Sequence, residues 1–187
     1  MKKKLLLLLA TSAGVLTALV PLSVVFGSSQ LSQRQSGTTQ LAQGGTAFPV
    51  NEILPKLKGK TQVPIFIPSR IPVPQKMYYP TTAKANSYTI SIEYKPDCGG
   101  TTVCTFGSIQ GQKGGEFITK LEGVTKTFKN VQLAGGVKGV YHNGCGAYCT
   151  ATLQWKTQGF MYTVAIKNGR ESDLILIGNS AIKAGKR

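Results

Sequence analysis

The chain predicts an α+β fold, a curved antiparallel β-sheet with a C-terminal helix packed on one face. Ser87–Tyr94 alternates strictly, with Tyr88, Ile90, Ile92 and Tyr94 on one face and Ser87, Thr89, Ser91 and Glu93 on the other. Ala151, Leu153 and Trp155 repeat that period before Thr157-Gln158-Gly159, and Phe160, Tyr162, Val164 and Ile166 repeat it after, the pattern of a hairpin. Leu174, Ile177, Ala181 and Ile182 carry helical spacing behind Ser172-Asp173, a cap and first-turn acid, with Lys183 and Gly185 as stop signals. Strands that alternate in this way are half solvated, which calls for an antiparallel sheet with one covered face. The helix is what covers it.

Taken in order, residues 1–27 read as a signal peptide. Met1-Lys2-Lys3-Lys4 is a basic start, Leu5–Phe26 an apolar run, and Val25 and Gly27 supply the residues a signal peptidase reads, with cleavage after Gly27. The run spans 22 residues, long enough to cross a bilayer, so an uncleaved anchor is the alternative. No cysteine lies at the junction, which excludes a lipidated lipoprotein. Either way the three lysines hold the start in the cytoplasm and the rest is exported, to a periplasmic or extracellular location. Residues 28–47, with five Gln, four Ser, three Thr and three Gly, bury too little apolar area to offset their ordering entropy and form a disordered linker. A single domain then fills 48–187, beginning near Phe48, the first aromatic residue after the leader.

Within that domain Pro64, Pro68, Pro72, Pro74 and Pro80 confine Gln62–Pro80 to extended edge or loop structure. Weaker strands are expected at Val103–Gln110, Glu116–Leu121, Val124–Lys129 and Gly136–Tyr141, divided by glycines. The apolar run Leu174-Ile175-Leu176-Ile177 also suits a buried strand, but Asn179-Ser180-Ala181 continues it better as helix.

Charge and composition limit the chemistry. The sequence holds one His and seven Asp+Glu, few residues from which to build an acid–base enzyme or a carboxylate metal site. From Phe48 onward 18 bases face those seven acids, a net of +11, scattered apart from Lys56-Lys58-Lys60 and Lys183-Lys186-Arg187. A diffuse positive field suits anionic lipid or acidic polysaccharide. Nucleic acid fits poorly, because lysine heavily outnumbers arginine and no aromatic–basic stacking pattern occurs.

Cys98 and Cys104 bracket one short loop and Cys145 and Cys149 another, an even set in an exported chain. Two local disulfides, Cys98–Cys104 and Cys145–Cys149, are the expectation, each worth about 2–2.5 kcal/mol by loop closure. His142-Asn143-Gly144-Cys145 invites comparison with a thiol nucleophile and its base, and His142, Cys145 and Cys149 with a zinc trio. An oxidising compartment opposes the free thiolate, and the spacing lacks the paired form of a zinc knuckle. Gly107–Gly115 lacks the Gly-Lys-Ser/Thr end of a phosphate loop and is expected to turn the chain between strands. Glu116 with Glu122, and Glu171 with Asp173, read as solvated charge.

Several features recur in a known order. They are Pro64-Ile65-Phe66-Ile67-Pro68, the strand Tyr88–Tyr94, Gly136-Val137-Lys138-Gly139-Val140-Tyr141, Trp155, Gly159-Phe160-Met161-Tyr162, and a final helix containing Asn179-Ser180. This order resembles an uncharacterised bacterial extracytoplasmic domain found on membrane-anchored anti-sigma-like and sporulation-linked proteins. The resemblance implies a curved antiparallel sheet with a C-terminal helix and brings no catalytic residues. The four cysteines and the lack of a cytoplasmic domain depart from it, so no signalling role is carried over. The expectation is therefore an exported, non-catalytic domain without cofactor or metal, whose charge suits an anionic envelope component. A thiol enzyme or redox protein using Cys145 and His142, or a carrier of an apolar ligand between sheet and helix, are the alternatives.

Overall fold

The computed structural model describes residues 45–73, 76–119, 127–145 and 148–187. The expected signal peptide, and the linker as far as Gly44, lie outside the described residues. Two short strands, β1 (Thr46–Ala47) and β2 (Arg70–Ile71), pair antiparallel beside helix α1 (Val50–Leu57). Seven further strands follow: β3 (Thr81–Lys84), β4 (Ser87–Glu93), β5 (Thr105–Lys113), β6 (Thr127–Gln132), β7 (Lys138–Cys145), β8 (Cys149–Thr157) and β9 (Phe160–Lys167). Helix α2 (Glu171–Ala184) comes last. The seven strands form one open sheet in the order β3-β4-β5-β9-β8-β7-β6, every neighbour antiparallel. Two meanders, β3–β5 and β6–β9, are joined where β9 pairs with β5.

The expected fold class is the observed one, an antiparallel sheet with a C-terminal helix packed against it. Register places Tyr88, Ile90 and Ile92, Ile109, Val164 and Tyr162, and Leu153 and Trp155 on a single front face, and all of these are buried. Trp155 stacks on Tyr162 with ring centroids 5.5 Å apart. Onto this face α2 lays Leu174, Ile177, Gly178 and Ala181. Its first turn is fixed by Asp173, whose carboxylate accepts from the Arg170 backbone N–H and guanidinium, so the helix begins at Glu171 rather than after Ser172. Each large side chain buried here stabilises by about 1.5–3 kcal/mol. The β8–β9 turn lies where expected, with Gln158 and Gly159 both at positive φ, the backbone a two-residue hairpin loop demands.

The Pro-rich stretch has a larger role than an edge. Apart from β2 and a bridge at Tyr78 its described residues are loop, within what was predicted, yet Val63, Ile65 and Ile67 are buried, and Pro64 and Phe66 lie against the front-face tyrosines. Burying a strand outside a ladder strands its polar groups. Pro64 and Pro68 lack the N–H that would need a partner, the Ile65 carbonyl accepts from Arg187 N–H (3.1 Å), and sheet tyrosines serve Pro64 and Phe66. Tyr162 Oη donates to the Pro64 carbonyl (2.9 Å), while Tyr88 Oη donates to the Phe66 carbonyl (3.1 Å) and accepts from Phe66 N–H (3.2 Å). Burial pushes both phenols well above their ordinary pKa.

Several expectations are corrected. Helix α1 was not expected, because Pro55 stands inside it and only Ile53 and Leu57 mark its buried side. Strand β3 also escaped notice, being short and half exposed. At the end of β4 the register slips between Ile92 and Glu93, with Phe106 as the extra residue opposite. The slip reverses the alternation, so Glu93 is 2 % exposed and Tyr94 36 % exposed. Glu116–Thr119, expected as strand, joins no ladder; the rest of that stretch, and Val124–Lys126 of the next, lie outside the described residues. Instead it crosses the back of the sheet, where Ile118 N–H donates to Gln154 Oε1 (2.9 Å). Strand β8 is therefore buried on both sides at Thr152 and Gln154, not half solvated. Gly107 and Gly111 lie inside β5, and only Gly114 and Gly115 turn the chain. A Cβ at Gly111 would overlap the Tyr88 ring, which is why glycine stands in a strand there.

Candidate functional site

The four cysteines pair as expected, Cys98 with Cys104 and Cys145 with Cys149 at disulfide distance. Antiparallel register puts both loops at one end of the sheet, flanking the C-terminal end of β9. Lys167, the last residue of β9, links them. Its ammonium donates to the Thr102 carbonyl in one loop and lies 4.5 Å from the Tyr148 ring centroid in the other. A shallow pocket of about 180 Å³ opens there among Thr102, Thr105, Ser108, Tyr148, Thr150 and Lys167.

The same register separates the residues that a thiol site would need together. His142 and Cys145 are three apart on β7 and point to opposite faces, His142 to the back with its ring beside Phe128 (5.3 Å). Among the described residues no three His, Cys, Asp or Glu gather as metal ligands. The carboxylates expected as solvated charge are surface residues: Glu171 pairs with Lys129 (2.8 Å), Glu116 with Lys156 (3.2 Å) and Asp173 with Arg170 (3.0 Å). Glu122 lies outside the described residues. Between α2 and the sheet Leu153, Trp155, Leu174 and Ile177 fill the layer that an apolar cargo would occupy.

A larger feature lies on the outer face of α2. After Glu171-Ser172-Asp173 the helix carries four consecutive apolar residues, and a helix packed on one face buries only those a turn apart. Leu174 and Ile177 enter the core, Ile175 is half-buried against it, and Leu176 turns outward at 42 % exposure, so that Ile175 and Leu176 both reach the outer side. They form the floor of an open groove of about 880 Å³ whose cations are Arg70, Lys183 and Arg187 and whose lining holds no acid. The groove wall is set by long-range bonds. Ser180 Oγ accepts from Ser69 N–H (3.0 Å) and contacts Ser69 Oγ (3.1 Å), fixing β2 beside the helix. Asn179 Oδ1 accepts from Ala134 N–H (2.6 Å) on the helix's other flank.

In the sequence Lys183 and Arg187 stood out as part of a spaced triplet, but nothing local brings Arg70 to them. The signal within reach was the surplus of apolar residues in Leu174–Ile177, twice what one buried face accepts. Among the described residues no helix is long and apolar enough to cross a membrane. No family model, curated protein or solved structure matches this chain.

Proposed function

We propose that this is an exported, non-catalytic domain that rests on an anionic component of the cell envelope. The observation that carries the proposal is the state of its charges. Among the described residues sixteen Lys and Arg stand against six Asp and Glu. Glu116, Glu171 and Asp173 are neutralised in ion pairs and Glu93 is buried, which leaves Glu52 and Asp97 as the exposed acids outside an ion pair. The field around the domain is thus almost wholly positive, and such a field attracts anionic surfaces in a salt-dependent way. Cysteines at disulfide distance suit the oxidising compartment that the proposal requires.

The test uses the protein recovered after export, applied to phosphatidylglycerol vesicles and to immobilised polygalacturonate. Retention is expected at low ionic strength on at least one of them, and release as added salt shortens the Debye length to roughly 3 Å at about 1 M. Absence of retention on both at low salt refutes the proposal.

A further inference from the structure

Among the described cations, Arg70, Lys183 and Arg187 converge on one groove, and that groove has an apolar floor. Arg187 Nε is shielded from water and donates to no acceptor among the described residues. An exposed Leu176 beside half-buried Ile175, with three cations around them, suits an amphiphile better than a polysaccharide, whose hydroxyls find no partner in these two side chains. A second observation concerns how the chain arrives. Arg70 Nε donates to the Gly45 carbonyl (2.9 Å), so residues 1–44, which include the apolar run Leu5–Phe26, join the domain at the groove's edge.

We infer that the outer face of α2, with β1–β2 beside it, docks on the anionic headgroup layer of a lipid bilayer. The inference rests on the anionic partner proposed above and names both its chemistry and its place on the fold. Lipid phosphates meet Arg70, Lys183 and Arg187, while Leu176 and Ile175 enter the boundary between headgroups and acyl chains. Basic residues close to an anionic bilayer each strengthen binding about fivefold.

The test reconstitutes the full chain in phosphatidylglycerol-rich and in pure phosphatidylcholine vesicles, so that the apolar Leu5–Phe26 run is present in both arms. Amide hydrogen exchange reads the surface. Added protection is expected at 69–71 and 172–187 on the anionic vesicles alone. It should fall about fivefold in each of Arg70→Gln and Lys183→Gln and be abolished in Leu176→Asp, whereas Lys84→Gln and Lys113→Gln, outside the groove, leave it unchanged. Arg70→Gln and Lys183→Gln carry the test should Leu176→Asp fail to fold. Equal protection on both vesicles, or equal losses in groove and control variants, overturns the inference. Retention of the exported protein on polygalacturonate without added protection on vesicles also overturns it while sparing the broader proposal. Absence of both overturns the two together.

Discussion

Replacing Tyr88 by Phe removes one oxygen from the centre of the fold and little else. Tyr88 is 1 % exposed, and its hydroxyl serves both the N–H and the carbonyl of Phe66 in the covering strand. A buried polar group left without its partner costs about 1–3 kcal/mol. Phe66 is only half buried, so each of its groups regains some water, and the lower end of that range applies to both. The expected loss is about 2 kcal/mol, or about 4–8 °C in Tm for a domain of this size. Urea unfolding followed by Trp155 reads it, since Trp155 is the only tryptophan, is wholly buried and stacks on Tyr162. Tyr78→Phe, at a residue 36 % exposed, is the control and should stay within about 0.5 kcal/mol of the parent. If Tyr88→Phe costs no more than Tyr78→Phe, the sheet tyrosines do not support the covering strand, and the account of how a Pro-rich segment is buried fails.

The same hydroxyls set an alkaline limit. Burial raises the pKa of Tyr88 and Tyr162, whereas tyrosines of the unfolded chain ionise near about 10. Their contribution is intact below that pH and is lost as pH rises beyond it, by up to about 1.4 kcal/mol per pH unit for each. Denaturation of the parent and of the Tyr88→Phe, Tyr162→Phe double variant from about pH 9 to 11 should show a shallower decline in the variant; equal slopes contradict the assignment. Gly111→Ala forces a methyl group against the Tyr88 ring and should cost about 1–3 kcal/mol, less when Tyr88→Leu is combined with it; additive costs in urea unfolding would show that the two do not meet. Replacing either cysteine pair by serine should cost about 2 kcal/mol. Because Lys167 contacts both loops, removing both pairs should depart from the sum by more than about 0.5 kcal/mol, and strict additivity would show that Lys167 does not couple them.

Local chemistry made much of the fold legible. A β-strand sends successive side chains to opposite faces whatever surrounds it, so Ser87–Ile92 and the two arms around Gln158-Gly159 announced themselves, as did the helical spacing from Leu174 to Ala181. The close cysteine pairs followed from the short loops they bracket. Only the tertiary structure decided where these rules give way. A register slip at Ile92 buried Glu93, a crossing segment sealed Gln154, and tyrosines far along the chain let a Pro-rich strand lie in the core. Helix α1 formed despite its own proline because Ile53 and Leu57 found the core. The groove belongs to the same class, for Ser69 and Ser180 meet across 111 residues and bring Arg70 beside α2. Periodicity is a property of the backbone and is written into every short stretch of sequence, whereas contacts between distant elements depend on which surfaces fit once all of them have formed.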